Sequence, residues 1–367
     1  MKQTDQLGIR EYICLAILMA SMRGTEHLPS MLYRQAQNAA WMLPILSAVL
    51  FFIPLFLLLK TLSVFQGKNL FDVIRQLLGK YVSFLVCLLI FLISSFAVSV
   101  DSRIYTNIIS TYYFLTTPNL IIYAIFMFVC AYGAVKGIQR IGSISYLTFF
   151  YIAFSFFIAF LLSLQDSQLE AIFPIWGPGT TELVRASTTE LTLYADFFIL
   201  TILIPYVTSY KDFRNGTWFS FVCVSIQLSF ATVLFITLFD NALKGLDYPF
   251  HTAIRYISLG EFLPNIETLF LPIWLFGVFI RFSAFIYINA LMFSQLFQIK
   301  DYKFLIPSIA TIYLMIGMIP ENAIDTFLLK GIVGDIAGPT FSVISIILWL
   351  AAWFKGEFKH AKNKSSH

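Results

Sequence analysis

Apolar stretches of bilayer-crossing length recur from residue 11 to residue 354, separated by polar segments. A run of about 20 apolar residues is enough to cross the hydrocarbon core as a helix. Ten such stretches can be drawn, at 11–31, 40–59, 81–113, 119–135, 142–164, 187–207, 218–239, 268–298, 304–320 and 333–354. The pattern predicts one all-α polytopic membrane domain occupying 1–367. The third stretch is too long for a perpendicular crossing and must tilt or protrude. Between the second and third, residues 60–80 keep a helical spacing that predicts an interfacial helix. Residues 165–182 read as a loop rich in Pro and Gly. In the long segment 240–267, Leu243, Leu246, Phe250, Ile254 and Ile257 recur at helical spacing. A surface helix, a lid and a solvated loop all remain open there.

The first stretch departs from the pattern. Arg23, Gly24, Thr25, Glu26, His27, Leu28 and Pro29 stand at its centre. A charge at bilayer depth costs about 2.5 kcal/mol or more. Glycine and proline there imply unwound backbone, which is tolerated only inside protein or beside a watery cavity. Such a break exposes N–H and carbonyl groups able to hold a polar ligand near the midplane. Ten spans divide into five plus five. In an inverted repeat the sixth span mirrors the first, and it does carry Glu190 and Asp196 ahead of Pro205.

Composition agrees with the pattern: 59% of residues are hydrophobic and 12% charged, against roughly 25% charged in soluble domains. Sixteen of the 24 Lys and Arg residues fall on one side of the predicted membrane. Five (Arg34, Arg185, Lys244, Arg255 and Lys330) fall on the other, which predicts cytoplasmic termini. The start, Met-Lys-Gln-Thr-Asp, is followed by a span with no small-residue cleavage site, so no signal peptide is expected. Cys14, Cys87, Cys130 and Cys223 sit singly in different spans, which favours neither a disulfide nor a metal site. No metalloprotease motif, P-loop or nucleophile elbow is present, so no catalytic residue and no cofactor are expected.

Three arginines lie inside spans: Arg23, Arg103 and Arg281. Asp101 and Arg103 are two residues apart on one helix, so they point to different faces and each needs a partner elsewhere. Ser94, Asp101 and Tyr105 share one stripe; Ser95, Ser99 and Arg103 share the next. Arg281 is too deep in the eighth span to snorkel, and its candidate counter-charges are Asp101, Asp196 and Glu26. Gly277, one turn earlier, allows close approach of another helix. These charges read either as a ligand site or as buried pairs that fix helix packing.

Several blocks resemble the endospore germination permease family, the B subunits of nutrient germinant receptors. They are Ile257–Leu263, Glu267–Leu271 with Trp274, Phe279-Ile280-Arg281-Phe282-Ser283, Gln295-Leu296-Phe297 and Lys300-Asp301-Tyr302. Gln66–Leu70 and Asp101-Ser102-Arg103 are supporting matches. The resemblance implies the amino acid–polyamine–organocation superfamily and a LeuT-type fold, with ten helices in two inverted repeats and helices one and six broken. It also implies a spore inner membrane location and a partnership with a germinant receptor A subunit and a C lipoprotein. The ligand would be a small nutrient: an amino acid, a nucleoside or a sugar. The lipid bilayer is the other expected partner, and no nucleic acid is expected. Against the family pattern, Met22 stands where a first glycine is usual. Arg23 lies between it and Gly24, and Glu26 and His27 replace small or apolar residues. Asp196 is the nearest match to an acidic position in span six.

The expected ligand-binding set is therefore Arg23, Gly24, Thr25, Glu26, His27, Asp101 and Asp196, with Arg103 and Arg281 completing an intramembrane charge network. Backbone at Gly24 and Thr25 would hold polar groups of the ligand. Arg281 would take the place of the sodium ion that related transporters bind between spans one and eight. A secondary transporter, proton-coupled through Asp101, Glu26 or His27, is the alternative reading.

Overall fold

A computed structural model describes residues 6–257 and 266–359. Most of the family-like block at 257–263 lies outside the described residues, as do Lys2, Lys362 and Lys364 of the charge count.

Two predicted spans are broken helices. The first is α1 (Ile9–Ser21), a 3₁₀ turn at Met22–Thr25, and α2 (Leu28–Ala36). Pro29 stands in the first turn of α2, where its missing N–H has no carbonyl to serve. Then follow α3 (Leu43–Val64), α4 (Leu70–Leu78), α5 (Lys80–Tyr112), α6 (Asn119–Val135) and α7 (Ile138–Ser163). The sixth span is the second broken one: α8 (Thr180–Thr189), a 3₁₀ turn at Glu190–Tyr194, and α9 (Ala195–Leu200), continuing as 3₁₀ through Thr201–Tyr206. Beyond it come α10 (Tyr210–Phe239), α11 (Pro249–Tyr256), α12 (Ile266–Leu296), α13 (Leu305–Gly317) and α14 (Ala323–Phe354).

Seven helical stretches among the described residues are long and apolar enough to cross a membrane, and α6 and α13 are shorter apolar helices. Their outward faces carry exposed Phe128, Leu147, Phe150 and Phe154, the surface a bilayer would cover. The protein is an integral membrane protein.

The helix predicted within 60–80 is α4, capped by Asn69, whose side chain accepts from the Asp72 amide at 2.9 Å. The helical spacing in 240–267 is realised as α11. Buried His251 there lies 4.6 Å, ring to ring, from Trp274, and burial, reinforced by Arg255, pushes its imidazole down to about 3.

One boundary differs in a way that matters. The last helix begins at Ala323 rather than 333, capped by Asn322 on the Asp325 amide. Lys330, counted above on the outer side, is therefore inside the bundle, its side chain 15% exposed. That correction leaves the charge asymmetry intact.

The two breaks sit back to back. Leu7 N–H donates to Tyr206 O at 2.7 Å and Thr208 N–H to Leu7 O at 3.1 Å, which pins the start of span one to the end of span six. Gly338 of α14 lets that helix ride directly on the second break. A Cβ there would lie 2.6 Å from Thr192 N and 2.9 Å from Leu191 C. Gly277 serves the first break in the same way, since a Cβ would approach Met22 Sδ to 3.0 Å.

Candidate functional site

The break in span one leaves backbone groups without helical partners, and its neighbours supply them. Met22 O accepts from Thr25 Oγ1 and from Tyr105 Oη, each at 2.8 Å. Thr25 Oγ1 in turn accepts from Trp274 Nε1 at 3.1 Å. These bonds hold the turn rigidly enough to aim the side chains that follow one another along it.

Those side chains build a ribbon of alternating charge. Arg23 Nη2 lies 2.8 Å from Asp196 Oδ1, and Arg23 Nη1 donates to Thr192 O at 2.9 Å, so the residue clasps the second break. Asp196 Oδ2 lies 3.3 Å from Arg281 Nη1, and Arg281 Nη2 lies 3.0 Å from Asp101 Oδ2. Asp101 Oδ1 is 3.1 Å from Lys330 Nζ, which also pairs with Glu26. Three cations and three carboxylates from five spans thus alternate without a net charge. All but Lys330 are less than 10% exposed as residues. Each carboxylate of Asp101 and Asp196 bridges two cations. That arrangement repays desolvation better than isolated pairs would.

The ribbon borders a cavity of about 550 Å³, within the range of small-molecule sites (~300–1,000 Å³). Of the sequence-predicted residues, Arg23, His27, Asp101 and Asp196 line it. Lys330, Glu190 and Gln35 line it as well. Gln35 Nε2 donates to Glu190 Oε1 at 2.7 Å. Glu190 Oε2, Arg23 Nε and His27 Nδ1 have no hydrogen-bond partner among the described residues. One wall is the His27 ring stacked on Phe327 at 4.2 Å between centroids. The cavity thus offers free donor and acceptor capacity of both signs beside an aromatic face.

Four of the expected residues stand away from this cavity. Gly24 and Thr25 do not face the charged cavity. They line a separate, mostly apolar cavity of about 280 Å³, with Phe156, Phe160 and Phe250. Glu26 is fully buried behind Lys330 and lines none of the three cavities described here. Arg103 is outside the ribbon: among the described residues it makes no ion pair, and its Nη1 lies 3.2 Å from Met318 Sδ. The two stripes on α5 explain the split. Ser94 and Asp101 face the cavity, whereas Ser95 accepts from Tyr313 Oη at 2.9 Å on the side that leads to α13. Arg281 finds two of its three candidate partners, and Lys330 takes Glu26, the third. Lys330 is the residue that sequence reasoning missed. The legible signal was Asn322 followed three positions on by Asp325, a helix-start pattern that carries Lys330 into the bundle.

The fold is that of known transporters. A nucleobase-cation-symport-1 family transporter, Mhp1, in a closed conformation with bromovinylhydantoin bound, matches with a TM-score of 0.68 at 16% identity, over 88% of this chain and 74% of that one. A manganese transporter of Eremococcus coleocola matches with a TM-score of 0.53 at 14% identity, over 93% and 77%. Both confirm the expected LeuT-type architecture. Among sequences, spore germination protein YndE of Bacillus subtilis (strain 168) is 22% identical over 341 residues, covering 90% of this chain and 92% of the relative. Spore germination protein B2 of the same organism is 21% identical, covering 90% and 91%. The sequence profile of spore germination proteins, the spore permeases, matches residues 9–326. With that profile spanning both broken helices and all six members of the ribbon except Lys330, the chain belongs to the spore germination protein family.

Proposed function

We propose that the protein is the B subunit of a nutrient germinant receptor, binding a small nutrient and triggering germination. The observation that carries this reading is the polar cavity bordered by the charge-balanced ribbon and wedged between the two helix breaks. A receptor needs an enclosed polar site whose occupancy shifts helices, and broken helices held by mutually dependent pairs can supply one. The ribbon itself sums to zero charge and Glu190 adds an acceptor, which suits a neutral ligand or one with an amino group, such as an amino acid, a nucleoside or a sugar. Arg23, Glu190 and His27 hold the unused polar capacity, so they are assigned the ligand contacts together with Asp196.

Both termini are assigned to the spore core side of the spore inner membrane, from the charge asymmetry. The A subunit and the C lipoprotein are the assigned partners, in keeping with the relatives' family. Arg281 supplies fixed positive charge where a transporter of this fold would use a coupling cation, so binding is expected to be independent of sodium. A steep sodium dependence of germination would count against that role.

The test is a dose–response in spores carrying Glu190→Gln or Asp196→Asn, with receptor abundance confirmed. A shifted germinant midpoint at normal abundance supports ligand contact; an unshifted midpoint at normal abundance overturns it. A second reading, secondary transport, is favoured by the likeness to Mhp1. Reconstituted vesicles separate the two. Accumulation of labelled solute against its gradient marks a transporter, and saturable binding without accumulation marks a sensor.

A further inference from the structure

Arg103 is 4% exposed, yet among the described residues no carboxylate meets it. Among those residues its side chain contacts one hydrogen-bond acceptor, the Met318 thioether, a weak one, and its Nε has no partner. A buried guanidinium without a counter-charge is costly unless something else satisfies it. Arg103 lines a polar cavity of about 290 Å³, together with Asn107, Tyr248, Thr252 and Asn322. The Tyr248 hydroxyl is also buried and unpartnered. Two buried donor groups thus belong to residues that line one cavity, and among the described residues a thioether is their one acceptor. Asp247 and Glu321 line it too, but both are exposed, where water and salt screen them.

This cavity is distinct from the one at Asp196. The Tyr248 ring meets the Phe327 ring edge-on at 5.8 Å, and Phe327 stacks on His27, so an aromatic partition stands between the two. Asp247 borders both.

We propose that the Arg103 cavity is a second binding site, for a small molecule bearing one carboxylate, gripped by the Arg103 guanidinium and the Tyr248 hydroxyl. A planar guanidinium offers a carboxylate two parallel hydrogen bonds, which a thioether cannot use. A single cation with acids at the exposed rim suits a monoanion better than a multiply charged phosphate. The location at the end of the bundle assigned above to the outside rests on the proposed orientation; the binding itself does not.

The test uses the purified full chain in lipid nanodiscs, with thermal unfolding followed in sodium acetate, in acetamide and in sodium chloride of matched ionic strength. Acetate is expected to raise the midpoint above chloride, and its neutral isostere acetamide to leave it unchanged. Arg103→Met is expected to abolish the effect, and Arg103→Lys to weaken acetate binding about tenfold or more. In spores, acetate that raises the germinant midpoint of wild type but not of Arg103→Met assigns the carboxylate to the germinant. Acetate that changes the germination rate at a fixed midpoint assigns it to a separate acid. An acetate effect equal to that of acetamide, one that survives Arg103→Met, or none in the wild type overturns the proposal. So does an effect that emerges only with Glu261→Gln, since Arg103 would then be neutralised within the chain.

Discussion

Arg281 and Arg103 are both buried arginines inside predicted spans, yet their surroundings are opposites. Arg281 is fully enclosed, bridges Asp101 and Asp196, and has a Phe285 ring 5.0 Å from its guanidinium carbon. Arg103 has a thioether and an open cavity. The first is a structural cation, neutralised by the chain itself. The second is left for something outside the described residues to satisfy. Burial alone therefore does not say whether an intramembrane charge holds the fold or waits for a ligand; its partners do.

Mutations that exchange these roles test the contrast. The largest effect is expected from Arg281→Met, which leaves Asp196 with Arg23 alone and Asp101 with Lys330 alone and gives the buried ribbon a net negative charge. A loss of about 3–5 kcal/mol, seen as a collapse in abundance and in thermal midpoint, is the expected outcome. Adding Asp196→Asn to Arg281→Met restores the charge balance of the ribbon, and part of the loss should return; strictly additive losses would deny the coupling. Next comes Gly338→Val, which drives a Cβ into the backbone of Thr192 and should lower the thermal midpoint even though no charge changes. Lys330→Met leaves Glu26 without its cation and Asp101 with Arg281 alone. Because Lys330 is partly exposed, a smaller loss of about 1–3 kcal/mol is expected by denaturation in nanodiscs. The smallest effect belongs to Arg103→Met. Removing an unpaired buried charge should change stability by less than about 1 kcal/mol, or raise it. A loss as large as that of Arg281→Met would erase the distinction.

Much of this site could be read in the chain. Arg23 and Glu26 announced the first break because charge, glycine and proline cannot share a lipid-facing helix. Arg281 announced a buried counter-charge because no interface lay within reach. The α5 stripes separated Asp101 from Arg103 correctly. Gly24 and Thr25 were harder, since which side of an unwound turn faces a cavity depends on the helices packed around it. Here Trp274 claims the Thr25 hydroxyl, and Leu228 stands 3.2 Å from where a Gly24 Cβ would be. Lys330 was misplaced by a helix whose apolar run starts well after its cap.

The sequence by itself determined the membrane class, the helical architecture, the break in span one and the demand of each buried charge for a partner. Hydrophobic length and desolvation are local properties, and every residue carries them in its own side chain. Only the tertiary structure decided which carboxylate answers which cation, that Lys330 closes the ribbon, and that Arg103 stands outside it. Those choices depend on distances between helices far apart in the chain, and a shift of one turn would have redealt every pair.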